Sequence, residues 1–447
     1  MKTPVLRKIH LTAFKSFSGS TLPVDPVTVL TGRNSSGKSN ALDGIEVLSR
    51  LASGEELTDA LDGRRREGGP VRGGSRGCAP HGTAEFELGC TVLAEGDTYG
   101  LDVIIQVEPE LRILQERLQG PAPALASGLV EQRWLLYTRE PTENSAALLA
   151  EIHNGKRGVN PLTPFRDTRL LTSQLPLRVV PQNEADAAVI RGAQAVTAAL
   201  RGAFHLDPVP HLMREYVSER DTELRRTGEN ISAAIARLRR DDEAAFDRLL
   251  QLVQQIAEER IHGIVVTRSE LGDVMLALEE GLPQNLELTP AREMSDGLLR
   301  FVAVATALLT PNRGLDIDPG LTVEDGARGI LLVIEELENG LHPSQAGRVL
   351  QLIKEASSDL AKRVMVTTHS PALLNAMTGK LNKSIIVCYR DTESGLSRLS
   401  RLTELPGYAE AMASGRLGDA VTQGQLIRPE HPEGDFSQFN QLLGIDG

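Results

Sequence analysis

Aromatic residues make up only 3% of this 447-residue chain, and there are three cysteines, Cys78, Cys90 and Cys388. Three cysteines without metal-ligand spacing build neither a disulfide framework nor a zinc site, and a reducing cytoplasm fits them best. No apolar run approaches the ~18 residues that cross a bilayer. The opening "MKTPVLRKIHLTAF" also lacks the apolar stretch of a signal peptide. An excess of positive charge is missing too. The formal net charge is −12, which argues against nonspecific coating of nucleic acid and leaves room only for a local basic groove. What remains is expected to be a soluble intracellular protein, large enough for two or three packed units or one α/β unit with insertions.

Against that background stands "TVLTGRNSSGKSN", which begins at Thr28. Gly32, Gly37, Lys38 and Ser39 make the pattern Gly-x-x-x-x-Gly-Lys-Ser of a phosphate-binding loop, spanning Gly32, Arg33, Asn34, Ser35, Ser36, Gly37, Lys38, Ser39 and Asn40. Such a loop needs a strand before it and a helix after it. "VTVLTG" is short and β-branched, and Leu42, Ile45, Leu48 and Leu51 follow at near-helical spacing. A chance glycine-rich turn would carry neither. Glycines let the backbone approach the ligand, loop N–H groups cradle phosphate, and the helix N-terminus adds a favourable dipole. In this chemistry Lys38 reaches the β- and γ-phosphates of a nucleotide and the Ser39 hydroxyl binds Mg²⁺.

Three later signals decide the class. Ile330 to Ile334 form a continuous apolar run, as in a strand buried on both faces, and end in Glu335 and Glu336. Acids at that end of a parallel strand suit a metal-holding carboxylate (Glu335) and a water-orienting one (Glu336), although alone they also fit a solvated loop. "KRVMVTTHS" reads as a second buried strand ending in His369, either a γ-phosphate contact or a structural histidine. In "REMSDGLLRFVAVATALL", Ser295, Asp296 and Gly297 open a strongly apolar helix. They serve as a helix cap, as a second phosphate-facing N-terminus, or as both.

In combination and in this order, the four signals resemble the phosphate loop, signature helix, acidic strand end and switch histidine of ABC-type ATPases. "IHLTAFKSF", "GENISAAIARL", "MSDGLLRF" and "IEELENGLHPSQ" further resemble the RecF/SMC/OLD-like group, in particular stand-alone ATPases similar to the ATPase half of OLD-family proteins. The resemblance covers about residues 1–425. It implies an α/β ABC-type head with a mixed central sheet, an antiparallel β lobe and a compact helical insertion between phosphate loop and signature helix. It also implies a Mg²⁺-dependent ATPase working as a head-to-head homodimer, with Ser295 and Gly297 of one subunit facing the γ-phosphate held by Lys38 of the other. Gln174 in "LLTSQLP" is the candidate Mg²⁺-contacting glutamine. The sequence departs from the pattern at Ser35, where Gly or Ala is usual, at Glu335, where Asp is frequent, and at Leu337, where Pro is frequent. His342, in the dimer-contact loop, matches the RecF- and OLD-like branch.

Lys38 and Ser295 lie 257 positions apart, far more than in a transporter motor domain. The helical segments between them, 185–204, 230–239 and 242–260, are each under roughly 30 Å long, and no sustained heptads form a long arm. The expected divisions are an N-terminal lobe 1–110, an inserted and mostly helical subdomain 111–260, a C-terminal lobe 261–425 and a tail 426–447. That tail is too short for a nuclease domain, so a nuclease, if used, is another polypeptide. Arg64, Arg65, Arg66, Arg72 and Arg76 lie among glycines and read as a contact to DNA or RNA phosphates, to an acidic partner, or as a solvated loop. Tail residues Phe436, Phe439, Leu442 and Leu443 pack on the head or dock a partner. From the resemblance, the expected function is an ATP-driven switch read by nucleic acid or by an effector such as a separate nuclease, plausible in anti-phage defence. A RecF-like DNA repair loading or scaffolding factor is the alternative.

Overall fold

The computed structural model describes residues 3–65, 69–123, 130–140, 147–156, 159–256, 260–282, 284–317, 329–339, 345–359, 361–377, 379–414 and 417–426. Arg66, His342 and the tail phenylalanines and leucines named above lie outside the described residues.

The N-terminal strands are β1 (Val5–Phe14), β2 (Phe17–Pro23) and β3 (Val27–Thr31). An antiparallel lobe follows with β4 (Glu85–Ala94), β5 (Asp97–Gln106), β6 (Arg112–Pro123), β7 (Val130–Thr138), β8 (Ala147–Ile152) and β9 (Leu162–Arg166). Next come β10 (Ala203–Leu206), β11 (Val217–Ser218), β12 (Ile261–Arg268), β13 (Asp273–Leu282) and β14 (Asn285–Pro290). The C-terminal strands are β15 (Ile330–Ile334), β16 (Lys362–Thr368), β17 (Ile385–Arg390) and β18 (Ser397–Arg401).

Fourteen of them form one sheet in the order β10-β15-β16-β3-β17-β18-β2-β1-β4-β5-β6-β7-β8-β9. From β10 to β17 all neighbours are parallel, and from β2 through β9 all are antiparallel. The sheet is therefore mixed, with a parallel core and an antiparallel lobe. Every residue of β3, β15 and β16 is buried, which is why β15 reads as an unbroken apolar run and why no strand of the three alternates apolar with exposed polar residues.

The strand period of two divides the core between the two sheet faces. Leu30, Leu331, Val333 and Ile386 join the core beneath the helix Lys38–Ala52. Val29, Leu332, Ile334 and Val387 join the core containing the helix Asp296–Leu309. The helices Lys38–Ala52 and Asp296–Leu309 thus pack on opposite faces of one sheet.

Of the stretch 111–260, the described residues from Arg112 to Arg166 are mostly strands that continue the sheet, and helices begin at Leu171. The helices Glu184–Arg201, Ile231–Asp241 and Glu243–Ile256 stand close to where apolar periodicity puts them.

Candidate nucleotide site

Parallel register gathers the site. Thr31 pairs with Thr368, and Ile334 pairs with Val366. The residues that follow these strands, Gly32, His369 and Glu335, consequently emerge at one edge of the sheet, the carboxyl end where open α/β sheets bind ligands.

Gly32 has φ +142° and Gly37 has φ +114°. A Cβ on Gly32 would lie 2.0 Å from the Cys388 carbonyl oxygen, and one on Gly37 would lie 2.3 Å from the Ser397 hydroxyl oxygen. Both positions need glycine for conformation and for space. Ser35 also lies in the left-handed region, at φ +63°, where only glycine escapes the Cβ penalty, so this serine is modestly strained. The loop is held from outside: the Ser36 carbonyl accepts from Ser397 Oγ at 2.7 Å and from Cys388 Sγ at 3.3 Å, and the Ser35 carbonyl accepts from Arg390 Nε at 3.2 Å. Asn40 Nδ2 donates to Ser16 Oγ at 2.8 Å, so the opening hairpin braces the helix start. Arg33, Asn34 and Ser35 themselves are exposed.

Lys38 is buried, and its Nζ donates to the Gly32 and Arg33 carbonyls at 2.9 and 3.0 Å. Burial lowers its pKa, opposed by the charges of Cys388, Glu336 and Glu338. Among the described residues, the buried Ser36 hydroxyl has no hydrogen-bond partner. A buried ammonium curled on its own loop, beside two sterically required glycines, suits a polyphosphate. The oxygen donors Ser39 and Glu335 suit a hard cation such as Mg²⁺.

Glu335 is half-buried, and burial raises its pKa. Glu336 is exposed, with φ +48°. Its backbone N–H donates to Thr367 Oγ1 at 2.8 Å, and its Oε2 accepts from Asn339 Nδ2. A non-glycine residue in that conformation stores strain, which concentrates at functional sites. The His369 backbone N–H donates to Glu338 Oε1, while Glu338 Oε2 is buried without a partner among the described residues. Burial lowers the His369 pKa and the Lys38 charge lowers it further, whereas Glu338 and Glu336 act the other way. Lys38, Glu336, Glu338 and His369 therefore lie within electrostatic reach of one another. Glu338 and Thr367 escaped sequence reasoning, although the acid two places after Glu336 was a visible signal.

Two predicted groups sit elsewhere. Gln174 lies on the helix Leu171–Arg178, and its amide bonds the backbone of Arg166 and Arg169. Three bonds from Leu171 and Thr172 to the buried carboxylate of Glu116, each 2.6 Å, anchor the start of that helix. Ser295 caps the signature helix by accepting from the Leu298 N–H at 3.3 Å, and Asp296 pairs with Arg214 at 2.6 Å. Ser295 and Asp296 are exposed, and Gly297 is half-exposed.

Residues 27–375 match the family described as "AAA domain, putative AbiEii toxin, Type IV TA system". The chain belongs to this AAA-domain family. The family and the mixed sheet with its loop at the parallel edge are consistent with an ABC-type, SMC-like ATPase head. Among solved structures, the chain is similar to the SMC head domain from Thermotoga maritima, with 14% identity, TM-score 0.39, and coverage of 89% of this chain and 98% of that one. It is also similar to an Smc head bound to the C-terminal winged-helix domain of ScpA, at 14% identity, TM-score 0.46, and 89% and 97% coverage. A third, derived from Pyrococcus furiosus, is an Smc head with an extended coiled coil bound to the C-terminal domain of ScpA. Its identity is 13%, its TM-score 0.43, and its coverage 92% and 99%. Comparison with curated proteins gives no match. No described helix is long and apolar enough to cross a membrane.

Proposed function

We propose that this protein is a Mg²⁺-dependent ATPase of ABC type that works as a nucleotide-controlled homodimeric switch. The observation that carries the reading is the parallel register that brings Gly32, Glu335 and His369 to one end of the sheet beside the buried Lys38, while Ser295 and Asp296 are exposed. A bound Mg²⁺ would supply charge neutralisation at the phosphates. On this reading the loop from Gly32 to Asn40 holds the phosphates of ATP, Lys38 turns from its two carbonyls toward them, and Ser39 and Glu335 hold the metal. Glu336 orients and deprotonates the attacking water, and Glu338 holds the backbone from which His369 faces the γ-phosphate. For Gln174 to reach the metal, its amide must first leave the backbone of Arg166 and Arg169.

The exposed Ser295, Asp296 and Gly297 would meet the γ-phosphate of a second subunit, since a helix N-terminus is a ready anion site. Closure on ATP and reopening on hydrolysis is the signal. Its reader is a separately encoded effector, such as a nuclease, or a nucleic acid. The toxin–antitoxin wording of the family description favours a role in cellular defence, in the cytoplasm, over DNA repair. Ser295→Arg tests the arrangement: ATP binding should persist within about twofold while ATP-dependent dimerisation is lost, because only the partner's phosphate is blocked. Retention of the dimer, measured by sedimentation, would remove the proposed interface.

A further inference from the structure

The arginine- and glycine-rich loop is not a free solvated segment throughout. Its described part is fixed at several points. Asp62 accepts from Ser75 N and Oγ at 2.8 and 3.1 Å, and Lys15 Nζ donates to the Arg72 carbonyl at 2.6 Å. Gly73 and Gly74 turn the chain at φ +86° and +62°. This backbone delivers the Arg72 guanidinium to 3.6 Å from Asp43 Oδ1 and 3.9 Å from Glu335 Oε1. Asp43 is already paired with Lys15 at 2.8 Å. The carboxylate assigned to the metal therefore has Arg72 as its neighbour, with the charges of Asp207, Asp43 and Arg226 also acting on it.

Arg72 also lines a polar cleft of about 790 Å³ with Asp207, Arg225, Arg226 and Asp316. Among the described residues, Asp207 and Asp316 form no ion pair. Arg72 is 56% exposed, so its guanidinium is not locked in place at Glu335, and the cleft it lines offers the carboxylates of Asp207 and Asp316.

We infer that Arg72 is a resident counter-cation of Glu335 that competes with the divalent metal, so that loading the nucleotide site displaces it into the adjoining cleft. This rests on the assignment of Glu335 to the metal made above. Two cations cannot share one carboxylate edge without mutual repulsion, and the partly exposed pair is weak enough to be exchanged. Arg72 is in this account a positioning residue and not a phosphate ligand.

The test uses the full chain, a fluorescent ATP analogue titrated against Mg²⁺, and Mn²⁺ binding followed by electron paramagnetic resonance. For Arg72→Gln, the half-saturating Mg²⁺ concentration should fall about two- to fivefold, the span expected for losing one exposed ion pair. Nucleotide affinity at saturating Mg²⁺ should stay unchanged. Mn²⁺ binding without nucleotide should tighten in parallel, and Arg72→Lys should remain near wild type. Arg76→Gln, whose parent side chain pairs with Glu108 instead, is the control that should not differ. An unchanged or raised Mg²⁺ requirement in Arg72→Gln, or weaker nucleotide binding at saturating Mg²⁺, overturns the inference. If wild type itself shows no Mg²⁺-dependent nucleotide binding, the assignment of the site fails instead, and the two failures are distinguishable.

Discussion

At the residue scale, the phosphate loop explains itself and one of its exceptions. Gly32 and Gly37 are dictated by positive φ and by backbone or hydroxyl contacts that leave no space for a methyl group. Ser35 adopts the left-handed conformation without being glycine, and its carbonyl, rather than its hydroxyl, holds Arg390. Ser35→Gly should therefore leave nucleotide affinity intact and stabilise the fold by up to about 1 kcal/mol, after the entropy lost to a freer unfolded chain. Thermal melting and nucleotide titration check both halves. A large drop in affinity would assign the hydroxyl a role of its own. Such local features were legible because loop, strand and helix are consecutive in sequence. Glu338 was not assigned a role, because its meaning depends on the His369 backbone 31 positions away.

At the element scale, strand β16 couples the two halves of the proposed site. Its last residue precedes His369, and its first, Lys362, is buried with Nζ donating to the carbonyls of Ala307, Leu308 and Thr310 at 3.1, 2.7 and 3.1 Å. Those carbonyls end the helix Asp296–Leu309, so one strand leads into His369 and caps the helix whose N-cap is Ser295. Lys362→Met should cost about 2 kcal/mol through orphaned carbonyls. Burial pushes the Lys362 pKa down to about 8, below its unfolded value near 10.4. Between those values the unfolded chain binds more protons than the folded one, so this group makes stability rise with pH from about 8 to 10.4. Chemical denaturation across that window should show the rise in wild type and not in Lys362→Met; the same slope in both would show that the amine is not the cause. None of this is visible in a linear reading, since Lys362 and Thr310 are 52 positions apart. The continuation of the antiparallel lobe to Arg166 was equally hidden. Gly120 and Pro121 blur the alternation in β6, and only pairing with β5 and β7 makes the strand.

At the scale of the whole molecule, the glycine loop and Lys38 lie at the carboxyl end of the parallel strands, and the helix capped by the exposed Ser295 packs on the opposite face of the sheet from the helix Lys38–Ala52. A single chain therefore carries both halves of the proposed site, but in an arrangement that asks for a second copy. The sequence order of the four motifs pointed to this, since order survives any folding of the insertion. The measurement closest to the central claim is the solution mass of Glu336→Gln with ATP and Mg²⁺ by light scattering, together with bound nucleotide. Removing the water-orienting carboxylate should arrest hydrolysis without weakening binding, and the variant should run at twice the chain mass with intact ATP retained. A monomer that hydrolyses ATP at the wild-type rate would contradict the account.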